Sequence, residues 1–380
     1  MSRGRPAGPA RADARPAAGG YDRRIALVLQ GGGALGSYQA GVHEALAEGG
    51  YLPDWVAGIS IGAINAALIA GNAPEHRVAR LRAFWETVTA PSAFWPDLPG
   101  PAFALWRQHA AATAALLFGQ PGLFARWEPA AWLRRGCPAS GYDTAALRGT
   151  LERLVDFDRI NAGPTRLSVG AVNVRTGALR YFDSAEMKLG PEHVMASAAL
   201  PPGFPAITID GEAYWDGGIV SNTPLEYVLS YYPRRSTLVF QVDLFPGAGA
   251  VPTTLENVAE RAKEIQYASR TALGTETFRL LHEIRHQLDR LLPQLPEPLR
   301  ATPEAAFLSA IACVTTMDIV QLTYRAAAAE GAAKDYAFSR AAIEARWARG
   351  RADMAAMLEA APWLAPSRPE IGVRLFGAAA

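Results

Sequence analysis

The residue in this sequence best suited to nucleophilic chemistry is Ser60, in Gly58-Ile59-Ser60-Ile61-Gly62. A serine with glycine two residues to either side, between a short apolar run and an Ala/Ile/Leu run, fits a tight strand-to-helix turn that projects its hydroxyl beyond a sheet. The helix behind such a turn offers backbone N–H groups to an anion. Gly31-Gly32-Gly33-Ala34-Leu35-Gly36 supplies a second turn of the same kind. Its N–H groups around Gly32, Gly33 and Ala34 are predicted to converge with that of Ile61 on a developing oxyanion. The candidate oxyanion set is therefore Gly31, Gly32, Gly33, Ala34, Gly36 and Ile61, with Gly58 and Gly62 shaping the elbow. The nucleophile also needs a base. Asp216, in Trp215-Asp216-Gly217-Gly218, is the leading candidate, because a desolvated carboxylate gains proton affinity and its glycines allow close packing around a serine. Asp243 is the runner-up and Asp183 a further competitor. On composition alone, an aspartate before two glycines is also what a plain turn would show.

Other chemistries fit parts of the same residues. Gly31 to Gly36 reads literally as G-x-G-x-x-G after a strand and before a helix, the dinucleotide fingerprint. That reading requires an acidic residue near the end of the second strand, where this chain carries Ser60, and Asp54 comes too early. No Lys-Ser/Thr follows the glycines, which excludes a P-loop. His282-Glu283-Ile284-Arg285-His286 matches the short H-E-x-x-H zinc pattern. Charged neighbours suggest a solvated helix face there and no third ligand can be named, so no metal is expected. A serine-aspartate-histidine order would have only His282 and His286 to use, and both are predicted on a surface helix.

These residues need elements to hold them. Arg24 to Gln30 is almost wholly apolar, as a parallel strand buried on both faces should be, and Trp55-Val56-Ala57 repeats the plan before the serine turn. Parallel neighbours would place both turns at the carboxyl edge of one sheet, where ligands bind in open α/β folds. Residues 80–135 form an aromatic-rich, predicted helical insertion. It reads either as a cap for an acyl chain, with Trp95 and Trp106 prominent, or as a covering layer with aromatics in the core. Leu167 to Val174 and Ala178 to Phe182 read as a hairpin, and Ala206 to Tyr214 as two short strands about Asp210-Gly211. Between them, Leu200-Pro201-Pro202-Gly203-Phe204-Pro205 must be a constrained turn able to form a pocket wall. Leu255 to Leu292 is helical, with Phe278, Leu281, Ile284, Leu288 and Leu291 on one face. Asp318 to Arg325 is a returning strand, and the tail from Ala341 is helical again.

Composition bounds the rest. With 380 residues, 50% hydrophobic content and a formal net charge of +1, the chain suits a large globular core and gives no case for nucleic-acid binding. Cys137 and Cys313 imply neither a disulfide framework nor a zinc site, which fits a reducing, cytoplasmic compartment. Residues 1–20 lack large apolar residues and are expected to be a disordered leader. Its arginines at 3, 5, 11 and 15 read as solvated, with weak peripheral contact to an anionic membrane as the alternative. No signal-peptide pattern and no apolar run of about 18 residues is present.

Taken together, the glycine loop, the Ser60 elbow, the Ser197 to Phe204 segment, and Asp216-Gly217-Gly218 with Asn222 and Pro224 resemble the patatin-like phospholipases over roughly residues 22–245. The resemblance implies a three-layer α/β fold with helices on both faces of the sheet. It divides the chain into an acyl hydrolase domain at 21–250 and a mainly helical extension at 251–380. It implies that Ser60 attacks a lipid or other apolar ester, that Asp216 alone is its base, and that the glycine loop holds the anion, with no cofactor. Many relatives carry Arg or Lys where this chain has Leu35, so ester hydrolysis is more firmly implied than phospholipid preference. The rival classes are a dinucleotide-binding protein and a catalytically silent lipid-binding protein. Oligomeric state is not legible, nor is the role of Lys334-Asp335-Tyr336.

Overall fold

The computed structural model describes residues 23–89, 119–127, 140–326, 334–368 and 370–377. Among the described residues, its centre is a nine-stranded mixed sheet in the order β12-β11-β10-β1-β2-β6-β9-β8, with β7 paired to β6, where β6 is Arg166–Asn173, β7 Leu179–Asp183, β8 Ile207–Ile209 and β9 Glu212–Asp216. The short strands β3 (Gly119–Gln120), β4 (Phe124–Arg126) and β5 (Tyr142–Asp143) pair apart from it. The run predicted at the start of the chain is β1 (Arg24–Leu29), flanked in parallel by β2 (Trp55–Gly58) and β10 (Thr237–Asp243). The strand predicted after the long crossover is β11 (Met317–Thr323), parallel to β10. Beyond it lies β12 (Val373–Gly377), in a tail read from sequence as helical. So residues past 250, although mostly helical, add two strands to the same sheet.

Alternation along β1 accounts for the layers. Leu27 and Leu29 enter one core, shared with α1 (Gly36–Glu48), α2 (Ile61–Ala70) and the helix Arg340–Ala360. Ala26 and Val28 point the other way, into a second core with Leu225, Val228 and Phe278. A central strand apolar on both faces has no polar side to give to water, and helices must cover both.

On the first face, α1 and the Arg340–Ala360 helix approach closely at paired glycines. A Cβ on Gly41 would lie 1.9 Å from the Trp347 carbonyl oxygen, and one on Gly350 would lie 2.1 Å from that of Tyr38. At the rim, Trp347 Nε1 donates to Glu44 at 2.5 Å, and Tyr38 donates to Asp353 at 2.9 Å. Since α1 begins where the glycine loop ends, the C-terminal helix backs that loop.

The long helix, Leu255–Leu291, corrects the sequence reading of its faces. Leu281, Ile284 and Leu291 are about half exposed, whereas Phe278, His282 and His286 are buried. The histidines turn inward because polar backbone awaits them: His282 Nε2 meets the Thr315 carbonyl at 2.8 Å and stacks on Phe278. Glu283 accepts the N–H groups of Gly372 and Val373, at 3.1 and 2.8 Å, where β12 begins. The H-E-I-R-H run thus ties helix to sheet, and no metal-ligand cluster occurs among the described residues.

Of the 80–135 insertion, Phe84 and Trp85 lie buried on the helix Arg77–Thr87, with Trp85 Nε1 donating to Asn65 at 3.2 Å. Trp95 and Trp106, the residues named for a cap, lie outside the described residues.

Because the crossing at Gly41 and Gly350 has no room for a side chain, Gly350→Leu should lower stability by about 1–3 kcal/mol or more. Urea unfolding of the two proteins measures this, and an unchanged midpoint would show that the helices do not touch there.

Candidate active site

One strand brings the two sequence candidates together. β6 (Arg166–Asn173) pairs antiparallel with β7 (Leu179–Asp183) along Ser168 to Val172, so that edge is filled. The other edge is shared. β2 runs parallel along its first half and ends with Gly58 opposite Val169. β9 (Glu212–Asp216) runs antiparallel along its second half and ends with Asp216 opposite Ala171. Two strands of opposite sense therefore finish head to head, with only Gly170 between their registers, and the residues just past their ends must meet.

Ser60 turns the corner out of β2 with φ 56° and ψ −124°, a backbone conformation that L-residues avoid. The strain persists because surrounding contacts over-determine it. Ser60 N–H donates to both the Ser197 carbonyl and hydroxyl, at 3.2 and 3.1 Å. On the other side Gly62 lies so close to β1 that a Cβ would be 2.3 Å from the Leu29 carbonyl oxygen. Asp216 N–H donates to the Ala199 carbonyl at 3.0 Å, so the segment 197–199 holds both residues.

Asp216 is buried, accepts a hydrogen bond from Gly218 N–H at 2.7 Å and lies within reach of the Ser60 side chain. Burial raises its pKa to about 7, against the lowering effect of those two groups. The competing carboxylates are engaged elsewhere. Asp243, raised to about 6 by burial, accepts from Gln241 and Gln321, each at 2.7 Å. Asp183 is clamped by Arg166, Ser168 and Tyr227. Neither lines the cavity beside Ser60, and neither do His282 and His286.

That cavity is about 320 Å³ in volume. Gly31, Gly32, Gly33, Ser60, Ile61 and Asp216 meet on its lining, whereas Ala34 and Gly36, also expected there, are not on it. Gly31 N–H donates to the Asn222 carbonyl at 3.2 Å while Asn222 Nδ2 donates to the Gly31 carbonyl at 2.9 Å, a two-way clamp on the loop. Gly36 N–H turns back to Gly33 and Ala34. Gly32, Gly33 and Ile61 line the cavity beside them. Ile61 opens α2, so its N–H has no intrahelical carbonyl to reach.

The proline-rich turn forms one wall, as expected, through Leu200, Pro201, Pro202, Gly203 and Phe204. Sequence reasoning missed a further part of the lining, contributed by Phe245, Lys263, Tyr267, Asp335, Tyr336 and Phe338. The one signal for it was the unexplained Lys334-Asp335-Tyr336. A larger cleft of about 430 Å³ elsewhere, between α1 and the Arg340–Ala360 helix, is lined by Glu44, Glu48, Arg82 and Arg351 and holds no serine.

A serine beside a buried carboxylate of raised proton affinity, on a cavity that a glycine loop and a helix N-terminus also line, is an arrangement suited to acyl transfer. Residues 27–229 match the family model of the patatin-like phospholipases, and residues 265–370 match a second, patatin phospholipase. The chain belongs to the patatin-like phospholipase family. It is accordingly an ester-hydrolysing enzyme of the lipid hydrolase class. No curated protein matches it. Among solved structures, this patatin-like chain is similar to VipD from Legionella pneumophila, at 15% identity and TM-score 0.38, covering 89% of this chain and 67% of that one. It is also similar to full-length ExoU of Pseudomonas aeruginosa, solved with SpcU, at 15% identity and TM-score 0.27, covering 92% of this chain and 76% of that one. Human GIVD cytosolic phospholipase A2 aligns at 12% identity and TM-score 0.27, covering 58% of this chain and 40% of that one. The family assignment rests on the matched sequence models and not on these likenesses.

The raised pKa of Asp216 sets a pH dependence. With Asp216 as the base for Ser60, a protonated carboxyl could not accept the serine proton, and kcat/KM should then fall about tenfold per unit below pH 7 and level off above it. The stability effect has the opposite sense: the folded state holds the Asp216 proton more tightly, so this group lowers stability as pH rises from about 4 to about 7. Asp216→Asn removes that penalty and should unfold at or above the wild-type temperature at pH 8; a clearly lower temperature would contradict the desolvated carboxylate.

Proposed function

We propose that this patatin-like enzyme cleaves carboxylic esters of lipids through a Ser60–Asp216 dyad. The observation that supports the reading is the meeting of Ser60 and a buried Asp216 on one cavity where β2 and β9 end head to head. Ser60 Oγ attacks the ester carbonyl as Asp216 takes its proton, and the tetrahedral oxyanion is held by N–H groups of Gly32, Gly33 and Ile61. Asp216 then returns the proton to the leaving alkoxide, giving an acyl-enzyme and a free alcohol. Water repeats the sequence, with Asp216 again as base, and releases the acid. Imidazole is a stronger base than an ordinary carboxylate, and the burial that raises Asp216 narrows the difference.

One feature supports a lipid acyl group: Ile64, Leu123, Phe124, Leu147, Met195 and Leu200 give the cavity apolar lining beside Ser60. No helix among the described residues is long and apolar enough to cross a membrane. We assign no cofactor or metal to the reaction. The dinucleotide reading of Gly31 to Gly36 loses its support because the end of β2 presents a serine and not a ribose-binding carboxylate.

A fluorophosphonate probe followed by peptide mass mapping tests the assignment: label is expected on Ser60 and none in Ser60→Ala. Asp216→Asn should depress turnover of p-nitrophenyl butyrate by about three orders of magnitude while the protein stays folded. A chain that binds lipid but takes no label would be a silent binding protein. His282→Ala with His286→Ala opens buried space, so its effect should appear in the unfolding temperature and not in kcat per folded molecule; a folded double variant as inactive as Ser60→Ala would overturn the dyad.

A further inference from the structure

Leu281, Ile284 and Leu291 are part of a longer exposed stripe on the helix Leu255–Leu291. At about 100° per residue, Leu255, Leu273, Leu280, Ile284 and Leu291 fall within about 40° of one another, on the side opposite Phe278 and His282. These five side chains are between 47% and 87% exposed. Val258 and Ile265, about half exposed, border the stripe on one side and Leu281 on the other. A helix seated on the sheet through one apolar face thus turns a second apolar face outward, along its whole length. Scattered apolar residues on a surface need no explanation, but a continuous row does.

The row reads alike from both ends. Leu255 and Leu291 stand eighteen residues before and after Leu273, and Ala262 and Ile284 stand eleven before and after it. An antiparallel second copy of the helix, laid lengthwise with the two Leu273 side chains at the centre, sets Leu255 against Leu291 and Ala262 against Ile284, each twice. An isologous two-fold contact requires this, since every residue must meet its counterpart in both directions. The small Ala262 leaves room for the branched Ile284, as interdigitating ridges need. Arg270 and Glu276, both exposed, stand three residues before and after the centre, so opposite charges come level at each side of it.

Area and flanking charge bear on the occupant. The 37-residue helix is about 55 Å long and about 10 Å wide, so a lengthwise contact draws on the order of 500 Å² from each copy, about 1,000 Å² in all. Specific interfaces begin at about that size. A helix that lies in a lipid surface carries lysines and arginines along its apolar face. Here the exposed neighbours of the row are Gln266, Glu276 and Gln287, and the helix's single lysine, Lys263, lines the Ser60 cavity instead. Arg270 donates to the Ile219 carbonyl at 2.9 Å, and Arg279 is bonded to Glu276.

We propose that the outward face of the helix Leu255–Leu291 binds the same face of a second copy of this chain, antiparallel, about a two-fold axis at Leu273. The pairing is independent of the reaction assigned to Ser60.

Sedimentation equilibrium of the full chain over a range of micromolar concentrations should return twice the chain mass of 40.6 kDa. Leu273→Glu, at an exposed position, brings two carboxylates together at the axis and should raise the dissociation constant by about a hundredfold or more. Disulfide capture reads the register. Under mild oxidation Leu273→Cys should link to itself, whereas Ala262→Cys should link to Ile284→Cys when the two variants are mixed and not to itself, with wild type as the control for Cys137 and Cys313. A wild type that stays at the mass of one chain overturns the proposal, as does a folded Leu273→Glu that remains a dimer or a Leu273→Cys dimer that takes no link. If Leu273→Glu does not fold, the two captures decide. A single-chain wild type that binds dioleoyl phosphatidylglycerol vesicles, with binding lost in Leu273→Glu, would give the stripe to a lipid surface and likewise overturn the pairing.

Discussion

Two strands of opposite direction share one edge of β6, and the site depends on that pairing. Backbone hydrogen bonding fixes where each strand stops: β2 leaves off opposite Val169 and β9 opposite Ala171. Because β7 occupies the far edge, neither strand can move across. The serine just past one end and the aspartate at the other are brought into contact by sheet register, far apart as they are in the chain. A shift of one residue would turn each side chain to the opposite face, so the hydrophobic alternation that secures the sheet also secures the pair.

Desolvation is the second constraint, and it works against stability. A carboxylate enclosed at Asp216 loses water, and the Gly218 N–H and Ser60 hydroxyl return only part of what is lost, which is why its proton affinity is raised. The unusual backbone of Ser60 adds to the cost. Both are tolerated because two cores, one on each face of the sheet, bury a large apolar surface around them. Other buried acids show the contrast. Asp183 has a guanidinium against it, while Asp243 is surrounded by amide and hydroxyl donors and, like Asp216, is raised.

The residues after 250 are joined to this arrangement at three places. β11 and β12 extend the sheet, the Arg340–Ala360 helix packs on α1 behind the glycine loop, and Lys334 to Phe338 lies across the loop itself. Lys334 holds that last segment through its contacts to Glu260 and Glu264 on the long helix. A buried ammonium between two carboxylates is costly to desolvate and specific in geometry, so it fixes where the next residue, Asp335, must sit.

Much of the site was legible because its residues are local exceptions to ordinary composition. Glycines around Ser60, a glycine loop after an apolar strand, and prolines that bar a helix each report a backbone requirement regardless of what lies far away. The same local logic located β1, β2 and β11. It failed on the long helix, where Leu281, Ile284 and Leu291 mark an apolar stripe that the fold leaves half exposed, while Phe278, His282 and His286 turn inward. Periodicity shows that a helix has faces, but which face is buried depends on partners such as Thr315 and Gly372, distant in sequence. For the same reason β12, a short terminal run, gained its identity only from pairing with β11. The sequence by itself determined the family, since the glycine loop, the Ser60 elbow and the Asp216-Gly217-Gly218 run carry local signatures. Only the tertiary structure decided that Asp216, and not Asp243 or Asp183, shares a cavity with Ser60, and that Lys263 and Asp335 line it too, because those facts depend on strand register and on contacts between segments that no spacing in the chain encodes.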